Sequence, residues 1–259
     1  MFKNKDLLYQ FLRRDLTLKY KGSFLGFLWS FITPFFMMTV YAFIFGVVFQ
    51  SRWSATQETT GEYALIMFIG LMVYGVFSES VLRAATIIIG HTNYVKKVVF
   101  PLEILPQTLV ASAAIQSLIS LVVWYIFFII ILGTPPLSGV LYVIVLFGLM
   151  IMSLGLAYLF AALGVYFRDL SQLLGIVIPA VMFLSPIFYP RDALPQFAQD
   201  ILPLVNPIAI PIEQARAVLV HGKLLDTGQM VGYYVASLII LGIGLSVFKL
   251  TRRGFSDVL

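Results

Sequence analysis

The hydrophobic and polar positions along the chain separate into long apolar stretches and short charged segments. No Asp, Glu, Lys or Arg occurs from residue 22 to 51 or from residue 104 to 167, and the GTPP sequence at 133–136 divides the second stretch. A helix that crosses the hydrocarbon core of a bilayer needs about 20 mostly apolar residues. The pattern therefore predicts six transmembrane helices, at roughly 25–49, 63–82, 105–132, 139–167, 170–189 and 230–248.

The composition supports a membrane protein and excludes several other classes. Of 259 residues, 60% are hydrophobic and 11% are charged, whereas a soluble domain is about 45–50% apolar and about 25% charged. The chain has no cysteine, which excludes disulfides and thiol catalysis, and its two histidines, His91 and His221, lie far apart and flank no carboxylate cluster, so we expect no metal site. We predict an all-α polytopic membrane protein with one transmembrane domain over 1–259.

The distribution of basic residues predicts the orientation in the membrane. With six helices both termini lie on one side, and that side carries thirteen of the 17 Lys and Arg residues. Because positively charged loops stay in the cytoplasm, we expect both termini to be cytoplasmic and the protein to lie in the cytoplasmic (inner) membrane. The basic excess is then a matter of topology, and no nucleic-acid partner is expected.

An amphipathic segment precedes the first predicted transmembrane helix. Within residues 1–23, apolar side chains from Leu7 to Leu18 share one helical face and basic side chains occupy the other, which is typical of a helix lying in the membrane interface. Asp15 and Lys19 interrupt the apolar face at i,i+4 spacing, where they can pair. This pair is either a solvated pair that stabilises the helix or a contact with a cytoplasmic partner.

A second segment, 190–228, lies between the fifth and sixth predicted helices. Its apolar part, 201–211, is short and broken by proline, so we expect a re-entrant hairpin that dips into the membrane from the outer side. Glu213 and Arg216 have the i,i+3 spacing of a helix-surface ion pair. From the residues alone, an exposed pair and a gating role are equally open.

The sequence lacks the motifs of nucleotide hydrolysis and of common hydrolases. It has no G-x-x-x-x-G-K-[ST] phosphate loop, no G-x-S-x-G elbow and no H-E-x-x-H. Glu79 is the one carboxylate inside a predicted span and can pair with Arg83 at i,i+4, which is poor support for an ion-coupled carrier. Gly242 and Gly244 lie in the middle of a span and favour close helix packing. We therefore expect a transporter that is not an enzyme, binds no cofactor itself and uses an external energy source.

The chain resembles the membrane subunit of ABC-2-type polysaccharide exporters, the permeases for O-antigen, capsule and teichoic acid. The resemblance covers nearly the whole length, and its motifs occur in order. They are RDLTLKYKGS at 14–23 with Leu25, Gly26, Trp29 and Pro34, then NYVKKVVFP at 93–101, EILP at 103–106, YFRDL at 166–170, LSPIFYP at 184–190, NP at 206–207 and Arg216.

This resemblance implies a homodimer bound to separate cytoplasmic ATPase subunits, which would hold the ATP and Mg²⁺. It implies that the interface helix, a cytoplasmic coupling loop at 83–103 and the turn between the fourth and fifth spans contact the ATPase. The residues expected in this coupling are Arg14, Asp15, Lys19, Tyr20, His91, Asn93, Lys96, Lys97, Arg168 and Asp169. It also favours a gating role for Glu213 and Arg216 in the hairpin, 190–228.

The implied cargo is a lipid-linked polysaccharide. Sugar rings pack on aromatic side chains, and the candidates for lining the path are Trp29, Phe35, Tyr41, Phe183, Phe188 and Tyr189. Two alternatives stay open: an exporter of a drug or small lipid from the same superfamily, and an integral membrane enzyme acting on lipid carriers. The enzyme would have to use outer polar residues, for which the candidates are Asp192, Asp200, Glu213, Arg216 and His221.

Overall fold

A computed structural model describes residues 5–48, 60–96 and 100–259. All regular secondary structure in these ranges is helical, and no strand occurs among them. The helices are α1 (Lys5–Leu18), α2 (Trp29–Tyr41), α3 (Thr60–Ile87), α4 (Thr92–Lys96), α5 (Ile104–Leu132), α6 (Tyr142–Tyr166), α7 (Leu170–Leu184), α8 (Gln196–Val205), α9 (Ala209–Leu219), α10 (Thr227–Thr251) and α11 (Phe255–Val258). The all-α prediction is confirmed.

Five helical segments in the described ranges are long and apolar enough to cross a membrane. They are Gly26–Phe45, Gly61–Ile87, Ile104–Leu132, Leu137–Tyr166 and Thr227–Val258. The fifth predicted span, 170–189, corresponds to α7, which has 15 residues and ends at Leu184. At 1.5 Å per residue α7 is about 22 Å long, shorter than a hydrocarbon core of about 30 Å. The bundle therefore consists of five long helices and one short one.

The breaks between the helices follow the predicted signals. Gly133 has φ of +86°, which glycine adopts without steric strain, and α5 ends immediately before it. Pro135 and Pro136 follow, and a short 3₁₀ segment, Leu137–Leu141, leads into α6. After Tyr41, α2 continues as a π-helix over Ala42–Val48. The first span is thus one continuous helical rod with a change of helix type near its end.

Helix α3 lies at the centre of the bundle. It packs against α5, α6, α7 and α9. Of the 18-residue stretch of α3 with the highest hydropathy, 72% is buried, compared with 22% for the corresponding stretch of α5. Its neighbours therefore cover most of α3, whereas the other long helices keep a face for lipid or for another protein. Any displacement of α3 must be felt by all four helices packed on it.

Helices α6 and α10 are in backbone contact at a pair of glycines. A Cβ atom added to Gly244 would lie 2.0 Å from the Gly155 carbonyl oxygen, so neither helix has room for a side chain there. This supports the prediction of close packing for Gly244. Gly242 does not share it, because a Cβ atom there would meet nothing within 4 Å.

The amphipathic helix α1 and the C-terminal residues pack at the same end of the bundle, here called the α1 end. Phe11, Phe248 and Phe255 belong to one buried cluster, and the Arg252 guanidinium pairs with the Glu103 carboxylate just before α5. The α8–α9 pair lies at the other end, called the hairpin end.

At the hairpin end, α8 and α9 form two short helices joined at Asn206 and Pro207. α8 has no buried residue, whereas most of α9 is buried against α3 and α6. The Asn206 side-chain amide donates to the Ser185 hydroxyl at 2.8 Å, which ties the hairpin turn to the chain just after α7. Two short helices thus occupy the segment of the expected hairpin, and the re-entrant hairpin itself stays a prediction.

Candidate functional site between α2, α3 and α5

A cavity of about 450 Å³ lies between α2, α3 and α5, and Lys19 and Tyr20, which follow α1, line its end. Its wall combines hydroxyl, amide and charged groups with aromatic and thioether side chains. Most of the wall surface is apolar, and polar groups are interspersed in it. The polar lining residues are Lys19, Tyr20, Thr33, Tyr41, Glu79, Gln116, Ser117 and Ser120.

An ion-pair network closes the α1 end of this cavity. The Lys19 ammonium lies 3.2 Å from a Glu79 carboxylate oxygen, and the same oxygen accepts a hydrogen bond from Arg83 at 3.0 Å. Arg83 also binds the Asp15 carboxylate with both of its terminal nitrogens. Two charges from the α1 segment and two from α3 therefore form one connected group.

This network changes the interpretation of Asp15 and Lys19. The sequence suggested that they pair with each other, but Lys19 binds Glu79 and Asp15 binds Arg83. Helical geometry does hold between the two positions, since the Lys19 backbone N–H donates to the Asp15 carbonyl at 3.1 Å. The two side chains bind α3 instead because α3 presents an opposite charge to each of them, Glu79 to Lys19 and Arg83 to Asp15. The predicted Glu79–Arg83 pair is confirmed.

A second polar chain holds the segment after α1 to two more helices. The Tyr20 hydroxyl donates to the Gln116 side-chain oxygen at 3.3 Å, and the Gln116 amide nitrogen donates to the Ser30 carbonyl oxygen at 2.9 Å. Lys19 and Tyr20 together therefore connect the end of α1 to α3, α5 and the beginning of α2. This segment covers the cavity and is attached to every helix that forms it.

The other residues predicted to contact an ATPase are distributed over the surface of the α1 end. The Arg14 guanidinium donates to the Tyr94 hydroxyl at 3.0 Å and lies over the Phe11 ring at 4.2 Å, so α1 is joined to the α4 segment. The remaining predicted residues include four that are exposed and His91, which is half-buried; Lys97 lies outside the described residues. The four exposed residues are Asn93, Lys96, Arg168 and Asp169.

The hairpin end contains a buried arginine. The Arg216 side chain is 4% exposed, and its guanidinium donates to the Ile66 carbonyl of α3 at 3.1 Å and to the Ile187 carbonyl at 2.9 Å. A third hydrogen bond goes to the Pro186 carbonyl. An exposed Glu213–Arg216 surface pair was one interpretation of the sequence, and it is wrong for Arg216. This side chain instead fastens α9 to α3 and to the turn after α7.

Glu213 contacts a different cation. One of its carboxylate oxygens lies 3.8 Å from the Arg191 guanidinium, and both side chains are half-buried. Burial raises the pKa of Glu213 above its ordinary value, and the positive charges of Arg191 and Arg216 oppose that rise. Burial also lowers the pKa of His221, with a further contribution from the charges of Lys223 and Arg216. The outer polar candidates thus include one buried, fully engaged arginine and a half-buried carboxylate, and no geometry among them resembles a catalytic set.

The predicted aromatic path residues divide into two groups. Tyr41 lies in the wall of the cavity between α2, α3 and α5. The others lie elsewhere: two are exposed on α2, and three cluster at and after the end of α7, where two rings stack at 5.6 Å between centroids. These five are Trp29, Phe35, Phe183, Phe188 and Tyr189.

Sequence reasoning missed half of the polar lining of the cavity, namely Thr33, Gln116, Ser117 and Ser120. Gln116 and Ser120 lie four residues apart in α5 and so share one helix face, and Thr33 lies on α2 among apolar neighbours. Polar residues on one face of an otherwise apolar span are the signal that indicates such a wall. The same signal does not say which neighbouring helix that face meets.

These features define an integral membrane protein built from span-length helices, with a partly polar cavity among them. The chain belongs to the ABC-2 type transporter family, whose profile matches residues 6–220. It is therefore a multi-pass membrane subunit of an ABC transporter.

Relatives with assigned names cover almost the whole chain. It is 27% identical to the O-antigen export system permease protein RfbA of Myxococcus xanthus over 99% of this chain and 96% of that protein. It is 28% identical to the protein of the same name from Klebsiella pneumoniae over 98% of this chain and 95% of that protein. It is 23% identical to the polysialic acid transport protein KpsM of Escherichia coli over 91% of this chain and 90% of that protein.

Proposed function

We propose that this chain is the permease subunit of an exporter that moves a lipid-linked polysaccharide outward across the cytoplasmic membrane. The observation that carries the proposal is end-to-end similarity to permeases named for O-antigen export, combined with a polar cavity inside the helix bundle. A polysaccharide cannot dissolve in hydrocarbon, so its path must be lined by protein groups that replace water.

Separate ATPase subunits supply the energy in this proposal. The sequence contains no phosphate loop, and at the α1 end it exposes polar and charged residues on two neighbouring segments. Asn93 and Lys96 lie on α4, and Arg168 and Asp169 form the turn between α6 and α7. These segments are the contact surface for the ATPase, and α1, joined to α4 by the Arg14–Tyr94 hydrogen bond, moves with them.

Two copies of the chain form the transport path. The exposed aromatic side chains of α2 and α7, including Trp29, Phe35 and Phe183, give each subunit apolar faces that a second copy covers. The permeation path then runs between the two copies, and the hairpin with Glu213 and Arg216 forms its outer gate. The positive-inside rule puts the α1 end, with both termini, in the cytoplasm.

The test separates the cargo from the energy source. A deletion strain is complemented with the chain and its ATPase, and surface polysaccharide is measured by immunoblot while ATP hydrolysis is measured on the chain purified alone and on the complex. We expect polysaccharide to appear only with both proteins present, and hydrolysis to require the ATPase subunit. Hydrolysis by the chain alone, or normal surface polysaccharide without the chain, contradicts the proposal.

A further inference from the structure

We propose that the cavity between α2, α3 and α5 of each single subunit is a binding site for an uncharged sugar unit of the transported polymer. This inference rests on the proposed function, because it takes a carbohydrate as the cargo. It goes further in placing a discrete site inside one chain. The permeation path of the proposed function, by contrast, runs between two copies.

The size and depth of the cavity fit a small polar ligand. Its volume of about 450 Å³ falls within the range of about 300–1,000 Å³ that is usual for small-molecule sites. Its wall extends along α3 from Glu79 to Phe68, a distance of about 16 Å at 1.5 Å per residue. The cavity therefore reaches from the α1 end deep into the apolar part of the bundle.

The chemistry of the wall matches both faces of a sugar ring. Phe68, Met37 and Met72 present apolar surface on which sugar C–H groups can pack. Hydroxyl groups occur in the same wall, and three of them have no hydrogen-bond partner among the described residues. These belong to Thr33, which is exposed, and to Tyr41 and Ser120, which are half-buried.

A hydrocarbon occupant fits this wall poorly. An acyl chain offers no hydrogen-bond partner to these hydroxyl groups. A sugar supplies several hydroxyl groups over the same surface and can satisfy all three. The unpartnered hydroxyls therefore favour carbohydrate over a lipid chain.

The charge of the wall favours an uncharged ligand. Lys19 and Glu79 are the charged residues of the lining, and they neutralise each other at 3.2 Å. An anionic group would have to take Lys19 from Glu79, which would leave that carboxylate beside the ligand. The pair closes the α1 end of the site and does not favour a charged ligand of either sign.

Absence of cysteine makes a direct binding experiment simple. Ser120→Cys introduces the one thiol of the chain, in the cavity wall, and Ser256→Cys puts a thiol on the exposed C-terminal segment as a control. The complex with its ATPase is placed in nanodiscs and labelled with a water-soluble maleimide, with and without polysaccharide purified from the host and freed of lipid. We expect the polysaccharide to slow labelling of the Ser120→Cys thiol by at least about threefold and to leave the control unchanged.

Three labelling results overturn the proposal. One is equal labelling of the Ser120→Cys thiol with and without polysaccharide. The other is labelling by a membrane-soluble reagent only, which would indicate a cavity filled by lipid. Protection of both thiols to the same degree would also overturn it, since the effect would then not be local.

A second variant fills the cavity. A Cβ atom at Gly75, in the cavity wall of α3, meets nothing within 4 Å, so Gly75→Leu occupies the space without moving the backbone. Gly232→Leu on α10 is the matched control, because that position is equally open and lies away from the cavity. We expect Gly75→Leu to lower export by about tenfold or more relative to the control, while assembly of the complex matches that of the control.

Failure of this inference is distinguishable from failure of the proposed function. If the wild-type complex exports polysaccharide and Gly75→Leu exports it equally well, the intra-subunit site is wrong and the exporter function stands. If the wild-type complex exports no polysaccharide in the deletion strain, the proposed function is wrong whatever the labelling result.

Discussion

Asp15 on α1 and Arg83 on α3 form an ion pair, with two hydrogen bonds between residues 68 positions apart in the chain. The pair joins the amphipathic helix to the most buried helix of the bundle. At its other end, α3 accepts a hydrogen bond from Arg216 through the Ile66 carbonyl. From residue 66 to residue 83, α3 spans about 26 Å, so one uninterrupted helix connects the α1 end with the hairpin.

The first prediction concerns the Asp15–Arg83 pair. Asp15→Arg alone puts two like charges together, and we expect a loss of about 1 kcal/mol of stability, because the two side chains are partly exposed. The double variant Asp15→Arg with Arg83→Asp restores opposite charges between these two positions but puts the new carboxylate beside Glu79, so only part of the loss should be recovered. The measurement is the thermal midpoint and the coupled ATPase activity of the complex. If Asp15 instead acts through the ATPase, the charge swap will not restore coupling.

The second prediction concerns Arg216. Arg216→Met leaves three buried carbonyl groups without their donor, and we expect a loss of about 3 kcal/mol with a lower thermal midpoint in detergent. Arg216→Lys is the matched control, since it keeps the positive charge but cannot reach the three carbonyls at once. It should therefore restore little of the stability. A midpoint for Arg216→Met equal to that of the wild type would contradict the role of this side chain in fastening α9.

The third prediction uses the raised pKa of Glu213. A carboxyl group whose pKa is higher in the folded state stabilises the fold at low pH, and this contribution is lost as the pH rises through the folded-state pKa. Glu213→Gln, which is neutral at every pH, should therefore be at least as stable as the wild type at pH 8, with a gain below about 1 kcal/mol. Its advantage should shrink toward pH 5. Thermal midpoints of both proteins across that range provide the measurement, and a variant that is markedly less stable at pH 8 would contradict it.

The fourth prediction concerns the contact between α6 and α10. Gly244→Ala puts a methyl group against the Gly155 backbone and must separate the helices, so we expect a loss of about 3 kcal/mol. Gly242→Ala has open space and replaces a flexible residue in a helix, so it should gain up to about 1 kcal/mol. The two substitutions are chemically identical and lie two residues apart. We expect the thermal midpoint to fall in Gly244→Ala and to rise in Gly242→Ala. Equal shifts in the two variants would contradict the close approach of α6 and α10.

The fifth prediction concerns the exposed turn between α6 and α7. Asp169→Lys should change the free energy of unfolding of the purified chain by no more than about 0.5 kcal/mol, because the residue is exposed. In the complex we expect weaker ATPase binding, or hydrolysis without export, because the reversed charge faces the partner. Pull-down of the ATPase and the ratio of export to hydrolysis measure these effects. Normal binding and coupling would remove Asp169 from the contact surface.

Local sequence patterns were sufficient for most of the helices and for their breaks. The GTPP sequence placed the end of α5 correctly, because a glycine in the left-handed region followed by two prolines ends a helix in almost any context. The fifth span was predicted too long, since its apolar pattern continues to Tyr189 while the helix ends at Leu184. Ser185 and Pro186 leave the helix to make the turn that Asn206 and Arg216 hold.

The site was less predictable than the fold. Glu79 was recognised as an unusual carboxylate, but its pairing with Lys19 depends on how the segment after α1 folds back on α3. Tyr41 was the one predicted path residue found in the cavity wall, and Gln116 and Ser120 were not singled out. For Arg216 the sequence left an exposed pair with Glu213 and a gating role equally open, and the structure shows that the side chain is 4% exposed.

The sequence by itself determined which segments are apolar enough to enter the membrane, because the free energy of transfer from water is a sum over the residues of each segment. It likewise determined most of the helix breaks and the segments in which the charges gather. Only the tertiary structure decided which polar side chains meet: Lys19 with Glu79, Asp15 with Arg83, and Arg216 with three carbonyl groups. Those contacts, and the cavity they border, depend on the rotation and register of helices distant in the chain, and the periodicity within one helix does not determine either.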